Sequence, residues 1–198
     1  MTGTERLPGY REAPQLVWDK EIDRIDRHCR SFIGLSPWAT LATADAGGFP
    51  DVSPRGGEPG FVRVLDERTL ALPDRPGNNR IDSLRNVLVN PKVALMFVVP
   101  GIEETLRVYG TAAVVEPGEV GVDLTEFGRP PRSVLVVDVS RAFFQCAKSL
   151  MRSGLWEPER WPGRGDFASI GQVFRDHCRL PAPLPPDDVV RADMAQHL

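Results

Sequence analysis

Between residues 38 and 139 the sequence consists of short strand-like runs separated by tight turns, and this pattern constrains the fold most. Residues 38–43 and 50–53, for example, flank a Gly-rich turn in the manner of a β-hairpin. A nearly continuous apolar run at residues 92–99 is typical of a central strand. No repeated strand–helix–strand pattern is present, so we predict an antiparallel β-barrel, mainly β with flanking helices. Closure of the sheet would leave no exposed edge beside the apolar run.

Helical periodicity is strongest near the N-terminus. Between residues 14 and 33 the apolar positions recur at steps of three and four, which predicts one amphipathic helix. The stripe consists of Trp18, Ile22, Ile25, Cys29 and Phe32. Further helices are predicted at residues 80–89, 118–127 and 147–155.

The polar loop that precedes the helix at residues 80–89 is rich in Gly, Asn and Arg. A loop at the start of a helix presents unpaired backbone N–H groups and the positive end of the helix dipole. Arg75 and Arg80 add cationic charge, so the segment is typical of a phosphate site. A plain helix start explains the same residues, because Asn79 is a favoured N-cap and, with Asp82, resembles a capping box. Both interpretations remain open at this point.

Length and composition exclude several classes of protein. The 198 residues predict a single domain over 1–198, with a loose N-terminal arm (1–13) and an extended, Pro-rich C-terminal tail (180–198). The net charge of -3 argues against a broad nucleic-acid surface. No apolar run suits a membrane span or a signal peptide, so we expect a cytoplasmic protein. The three cysteines are widely spaced and match no disulfide framework or metal site.

Several motifs occur in an order and spacing that resemble a known family. They are Pro-Asp-Val-Ser-Pro-Arg-Gly at 50–56, Pro-Gly-Phe-Val at 59–62, Leu-Pro-Asp-Arg-Pro-Gly-Asn-Asn-Arg at 72–80, Asp-Ser-Leu-Arg-Asn at 82–86, Asn-Pro at 90–91 and Glu-Thr-Leu-Arg-Val-Tyr-Gly at 104–110. The chain resembles the pyridoxamine 5′-phosphate oxidase-related family from about residue 32 to residue 156. It is more similar to the bacterial flavin-binding branch than to the vitamin-making oxidases. The resemblance implies a split β-barrel that binds FMN.

The resemblance also implies a homodimer with FMN in two equivalent clefts at the subunit interface. The implied phosphate-binding residues are Ser53, Arg55, Asn79 and Arg80. The backbone of Pro73, Asp74 and Arg75 would border the flavin ring, and Arg75 or Arg107 would place a cation near its polar edge. Lys148 and Arg152, four residues apart on a predicted helix, would bind the cofactor or an anionic substrate. Pairing with a carboxylate is the alternative role for Arg55 and Arg107.

One departure from the family affects the expected substrate. The vitamin-making oxidases carry a C-terminal Arg-Leu-His-Asp-Arg-type signature, whereas residues 174–181 here read Phe-Arg-Asp-His-Cys-Arg-Leu-Pro. We therefore expect an FMN-dependent oxidoreductase that exchanges a hydride with an unidentified small molecule. The alternative is a non-catalytic protein or redox sensor that binds flavin, deazaflavin or haem. The sequence names no catalytic residue.

Overall fold

The computed structural model describes residue 9, residues 11–179 and residues 185–196. The chain divides into two compact units, Met1–Ser149 and Leu150–Leu198. This division leaves the single-domain prediction for residues 1–198 untested. Most of the predicted N-terminal arm lies outside the described residues.

The first unit contains seven strands and most of the helices that accompany them. Its elements are α1 (Gln15–Asp19), α2 (Arg27–Leu35), β1 (Trp38–Ala44), β2 (Pro50–Gly56), β3 (Arg63–Val64), β4 (Thr69–Asp74), α3 (Asp82–Val89), β5 (Lys92–Val98), β6 (Thr105–Val115) and β7 (Ser133–Gln145). A further helix, α4 (Lys148–Ser153), begins in this unit and ends in the second.

All seven strands belong to one antiparallel sheet with the order β2-β1-β5-β6-β7-β4-β3. This architecture, with its flanking helices, confirms the predicted split-barrel class. The expectation of a closed sheet was wrong, because β2 and β3 form the two edges and do not pair with each other. The inward face of β2 carries Asp51, Ser53 and Arg55, all half-buried. Polar side chains of this kind do not form an apolar seam that would close a barrel.

The core lies between the inner face of the sheet and α2. Its largest buried side chains include Phe97, Leu41, Leu95 and Leu106, each at most 1% exposed. Burying a side chain of this size stabilises the fold by about 1.5–3 kcal/mol. The same core includes Cys29 and Ile33 of α2. The inner face of the sheet is therefore the rigid support for the elements that follow it.

The single helix predicted over residues 14–33 was wrong, because the segment forms two helices, α1 and α2. Asp26 starts α2 by accepting a hydrogen bond from the backbone N–H of Cys29 at 2.8 Å. Between the helices, Ile22 exchanges backbone hydrogen bonds with Ala142 of β7. Trp18, at the start of the predicted stripe, is 64% exposed.

The helix predicted over residues 118–127 was also wrong. Only a 3₁₀ turn, Pro117–Glu119, forms there, followed by an isolated bridge between Glu126 and Arg129. Gly121 and Gly128 take left-handed conformations with φ of 73° and 72°, which interrupt a helix.

The described part of the second unit consists of short helices and turns. After the 3₁₀ turns Pro158–Arg160 and Arg164–Asp166 come α5 (Ile170–Cys178) and α6 (Asp187–Ala195). The tail predicted to be extended is therefore helical over α6. Asp187 and Asp188 in its first turn stabilise the helix, because their negative charge lies at the positive end of the helix dipole. Residues 180–184 and 197–198 of that tail lie outside the described residues. No helix in the described part of the chain has the length and apolar character needed to cross a membrane.

Candidate functional site

The first unit contains a cleft of about 570 Å³, lined by residues 51–56, Phe61, residues 73–84, Arg132 and Ser133. Its size falls within the range typical of small-molecule sites. Seven of the ten residues predicted to bind the cofactor line it: Ser53, Arg55, Pro73, Asp74, Arg75, Asn79 and Arg80. The structure thus brings together residues from β2, the end of β4, the following loop and the start of α3.

The strand β2 forms one side of the cleft. Because side chains alternate along a strand, Asp51, Ser53 and Arg55 share one face and are half-buried, whereas Val52 and Pro54 point the other way and are exposed. Since β2 is an edge strand of the described sheet and pairs there only with β1, the backbone groups on its outer edge have no strand partner. These groups are free to bind a polar ligand.

An ion pair connects the two sides of the cleft. Arg55 Nη1 of β2 donates to Asp74 Oδ1 at the end of β4 at 2.7 Å, and the two side chains are only 16% and 14% exposed. This is the carboxylate pairing that the sequence left open for Arg55. The pair joins an edge strand to a strand at the other end of the sheet, across the gap in the barrel.

The backbone of Arg75 lies in the cleft lining, but its guanidinium bonds elsewhere. It forms an ion pair with Glu126 at 3.0 Å and donates to the carbonyl oxygens of Leu124 and Arg129 at 2.5 and 3.0 Å. The Glu126 side chain is 8% exposed. Arg75 therefore anchors the loop at residues 124–129 beside the cleft.

The start of α3 has an unusual backbone. Its N-cap is Ile81, which has a left-handed conformation with φ of 51° and provides no side-chain cap. Asn79 is also left-handed, with φ of 58°. The left-handed conformation costs about 1–3 kcal/mol for a β-branched residue such as Ile81. Backbone strain of this kind is typical of ligand-binding loops. The predicted capping box of Asn79 and Asp82 was wrong, and the first N–H groups of α3 lack a side-chain cap.

The charge of Arg80 is compensated by its neighbour. Arg80 Nε donates to Asp82 Oδ2 at 2.8 Å, and the two side chains are 75% and 38% exposed. The hydrogen bond from Arg80 to Asp82 and the attraction between their charges raise the pKa of the Arg80 guanidinium. A phosphate that binds Arg80 would compete with this carboxylate.

Two hydrogen bonds hold α3 against the sheet. The buried Ser83 hydroxyl donates to Asp51 Oδ2 at 3.3 Å, and Asn86 Nδ2 donates to Thr43 Oγ1 at 3.0 Å. They fix the start of α3 relative to β1 and β2, so the cleft is largely formed before a ligand binds.

Arg132 is a cleft residue that the sequence did not reveal. Its Nη1 donates to Asn79 Oδ1 at 2.8 Å, and its backbone N–H donates to the carbonyl of Asp74 at 3.1 Å. It precedes β7, where Ser133 pairs with Asp74. Only the long-range pairing of β7 with β4 brings Arg132 to the cleft, and no local pattern encodes that pairing. Its position directly before a predicted strand was the one available signal.

Three predicted residues do not line this cleft with the others. Arg107 lies on β6, with its guanidinium carbon 5.3 Å from the ring centroid of Tyr109 and 5.4 Å from that of Phe143. Lys148 is exposed in the first unit outside the lining, and Arg152 belongs to the second unit. The cofactor-binding roles of all ten predicted residues, these three included, stay predictions. In the described part of the chain, no group of three or more His, Cys, Asp or Glu side chains could hold a metal ion.

One comparison with known protein families matches the part of the chain that forms the first unit. A family model described as pyridoxamine 5′-phosphate oxidase matches residues 25–146, more than half of the chain. No curated protein matches the chain in sequence.

Similar solved structures share low identity with the chain. HupZ from Group A Streptococcus has 23% identity, with 61% of this chain and 93% of that chain covered and a TM-score of 0.47. The heme storage protein HutZ from Vibrio cholerae has 20% identity, coverage of 61% and 94% and a TM-score of 0.41. An F420 reductase has 20% identity, coverage of 59% and 94% and a TM-score of 0.40.

Proposed function

Since the chain belongs to the pyridoxamine 5′-phosphate oxidase family, we propose that it binds FMN in the cleft of its first unit and acts as an FMN-dependent oxidoreductase on a small molecule. One observation carries the proposal. Residues that the resemblance implies for the phosphate and for the flavin ring, separated along the chain, line a single cleft of suitable volume.

The polar groups of the cleft fit a phosphorylated ligand. The cleft lining includes Arg55, Arg80 and Arg132. A ligand with several anionic oxygen atoms would suit these guanidinium donors. The first N–H groups of α3 and the hydroxyl of Ser53 would bind the phosphate, with Asn79 and the arginines beside them.

The opposite part of the cleft fits a flat heteroaromatic ring. The backbone of Pro73, Asp74 and Arg75 and the unpaired edge of β2 offer N–H and C=O groups to a polar ring edge. When bound, FMN would supply the ring system that accepts or donates a hydride. The protein would hold that ring in one orientation and leave a face open to the substrate.

The residues of the cleft favour a flavin over haem. Haem iron takes His, Cys, Met or Tyr as its axial protein ligand. None of these residue types occurs in the cleft lining, every member of which the structure describes. A deazaflavin carries phosphate as well, so the experiment below includes it as a competing ligand.

Assembly and location follow as further parts of the proposal. Exposed apolar side chains lie on β2 and α3, beside the cleft: Val52, Ile81, Leu88 and Val89. A second copy related by a two-fold axis would cover them, as expected for a homodimer. All three cysteines are free thiols, which supports a reducing, cytoplasmic location.

The test is the visible absorption of the purified protein, before and after addition of FMN or a deazaflavin. Bound FMN would give absorption bands at about 370 and 450 nm, and these bands should disappear when NADH or NADPH is added in the absence of oxygen. Ser53→Leu, which adds bulk inside the cleft, should abolish FMN uptake, whereas Ser140→Leu, the same change at an exposed position of β7 outside the cleft, should not. Colourless protein that takes up no FMN would contradict the proposal. FMN binding without reduction by either nucleotide would favour the non-catalytic alternative.

A further inference from the structure

The four arginines that line the cleft differ in how their charge is compensated. Three form ion pairs with carboxylates: Arg55 with Asp74 at 2.7 Å, Arg75 with Glu126 at 3.0 Å and Arg80 with Asp82 at 2.8 Å. Arg132 is different, because it forms no ion pair with any residue that the structure describes. Its only side-chain hydrogen bond there goes to a neutral amide oxygen.

This difference decides which arginine can bind a phosphate with the smallest loss of free energy from broken ion pairs. A phosphate that approaches Arg55 or Arg80 must displace a carboxylate or bind beside it, and the two anions repel each other. At Arg55 the loss would be large, since both side chains of that pair are mostly buried. A phosphate beside Arg132 has no carboxylate partner of that residue to displace among the described residues.

The position of Arg132 suits a ligand at the start of α3. Arg132 Nη1 donates a 2.8 Å hydrogen bond to Asn79 Oδ1, which holds the guanidinium beside the strained loop that precedes α3. The bond from its backbone N–H to the carbonyl of Asp74 fixes the chain where β7 begins. A guanidinium has five N–H donors in a planar fork, so most of them remain available to phosphate oxygens.

We propose that Arg132 is the residue by which this cleft selects a phosphorylated ligand, and that Arg80, held by Asp82, contributes less. The ligand class is a phosphomonoester dianion bound between the Arg132 guanidinium and the start of α3. This inference rests on the proposed function of the cleft, and it gives the main role to a residue outside the phosphate-binding set that the resemblance implies, a set that includes Arg80.

The test compares FMN with riboflavin, which lacks the phosphate, by fluorescence titration of the wild type, Arg132→Gln and Arg80→Gln. Arg132→Gln should weaken FMN binding about ten- to a hundredfold, the value of one charge-assisted hydrogen bond. Its riboflavin affinity should change less than about twofold. Arg80→Gln should weaken FMN binding by no more than about threefold, as expected for an exposed ion-paired residue. Arg132→Lys, which keeps the charge but not the planar fork, should restore part of the loss.

The outcomes separate this inference from the proposed function. The inference alone is overturned if the wild type binds FMN but Arg132→Gln binds it equally well, or if Arg80→Gln loses as much as Arg132→Gln. Equal losses of FMN and riboflavin in Arg132→Gln would also overturn it, because the residue would then shape the ring site. A wild type that binds neither flavin overturns the proposed function and this inference together. Because the Arg132 side chain is exposed, the variant should unfold at the same urea concentration as the wild type.

Discussion

Arginine is the residue type on which the chemistry of this cleft depends, and the neighbours of each arginine decide its role. Local sequence places Arg80 beside Asn79, and strand alternation places Arg55 beside Ser53, so these residues can be predicted to converge. Their ion pairs cannot, since Asp74 reaches Arg55 only after the sheet has formed. The same limit hides Arg132, whose approach to Asn79 needs the β4–β7 pairing.

At the residue scale, we expect that removing the charge of Asp82 strengthens FMN binding. In Asp82→Asn the carboxylate no longer compensates Arg80 or repels the phosphate. FMN affinity should rise roughly three- to tenfold, the effect of one nearby charge at the protein surface, with riboflavin affinity unchanged. Fluorescence titration measures both. Asp66→Asn, an equal change of charge outside the cleft, is the control and should leave both affinities unchanged. Weaker FMN binding in Asp82→Asn would show that the carboxylate positions the site.

A second prediction at this scale concerns Cys29 in the core. Burial, and then the neighbouring Asp26, raise the pKa of its thiol from 9.0 to about 12. Because the pKa is raised only in the folded state, the protonated Cys29 thiol contributes its full stabilisation of the fold below pH 9. This contribution is lost as the pH rises toward 12. Between pH 8 and pH 10 the free energy of unfolding should fall by about 1.4 kcal/mol more in the wild type than in Cys29→Ala. Urea unfolding measures the difference, and equal pH dependence of the two proteins would refute the assignment.

At the scale of elements, patterns of hydrophobicity and turn residues predicted most strands. They failed where contacts between residues distant in sequence determine the end of an element. The strands β1, β4, β5 and β6 lie close to the predicted runs, because alternation and tight turns are local signals. The helix over residues 14–33 failed because the spacing of apolar residues continues across the break between α1 and α2. The backbone pairing of Ile22 with β7 and the capping of α2 by Asp26 divide this segment into two helices. The spacing of apolar residues contains no signal for either interaction.

One glycine controls the pairing of the two longest strands. The register of β6 with β7 shifts between Tyr109 and Gly110, and a Cβ at Gly110 would lie 2.0 Å from the carbonyl oxygen of Asp138. Gly110→Ala should therefore lower the free energy of unfolding by about 2–4 kcal/mol, because backbone must move. Gly118→Ala is the matched control, since nothing lies within 4 Å of its Cβ, and it should change stability by less than about 0.5 kcal/mol. Similar urea midpoints for the two variants would contradict this account of the bulge.

At the scale of the whole molecule, the gap in the sheet matters most. The sequence predicted an antiparallel barrel, and the class was right, but strand patterns do not indicate where a barrel stays open. The opening follows from the polar inner face of β2, which meets the end of β4 through the Arg55–Asp74 ion pair rather than through a ladder of hydrogen bonds. The cleft occupies the same region. A sheet closed at this point would leave no room for it.

The proposed homodimer gives a prediction at the same scale. Light scattering should yield twice the 21.9 kDa of one chain. Leu88→Glu places a charge on α3, where Leu88 is 75% exposed, and should weaken the dimer because an apolar interface would then bury a carboxylate. Leu16→Glu is the control, at a position 76% exposed on α1, and should leave the mass unchanged. A monomeric wild type that still binds FMN fully would contradict the dimer.

The central claim is that the cleft of the first unit holds the phosphate of FMN at the start of α3. A crystal structure of the protein with FMN tests it most directly. We expect the phosphate to lie within hydrogen-bonding distance of the Arg132 guanidinium and the first N–H groups of α3, with the flavin ring along β2 and residues 73–75. A flavin bound outside this cleft, or one whose phosphate lies in solvent, would contradict the account.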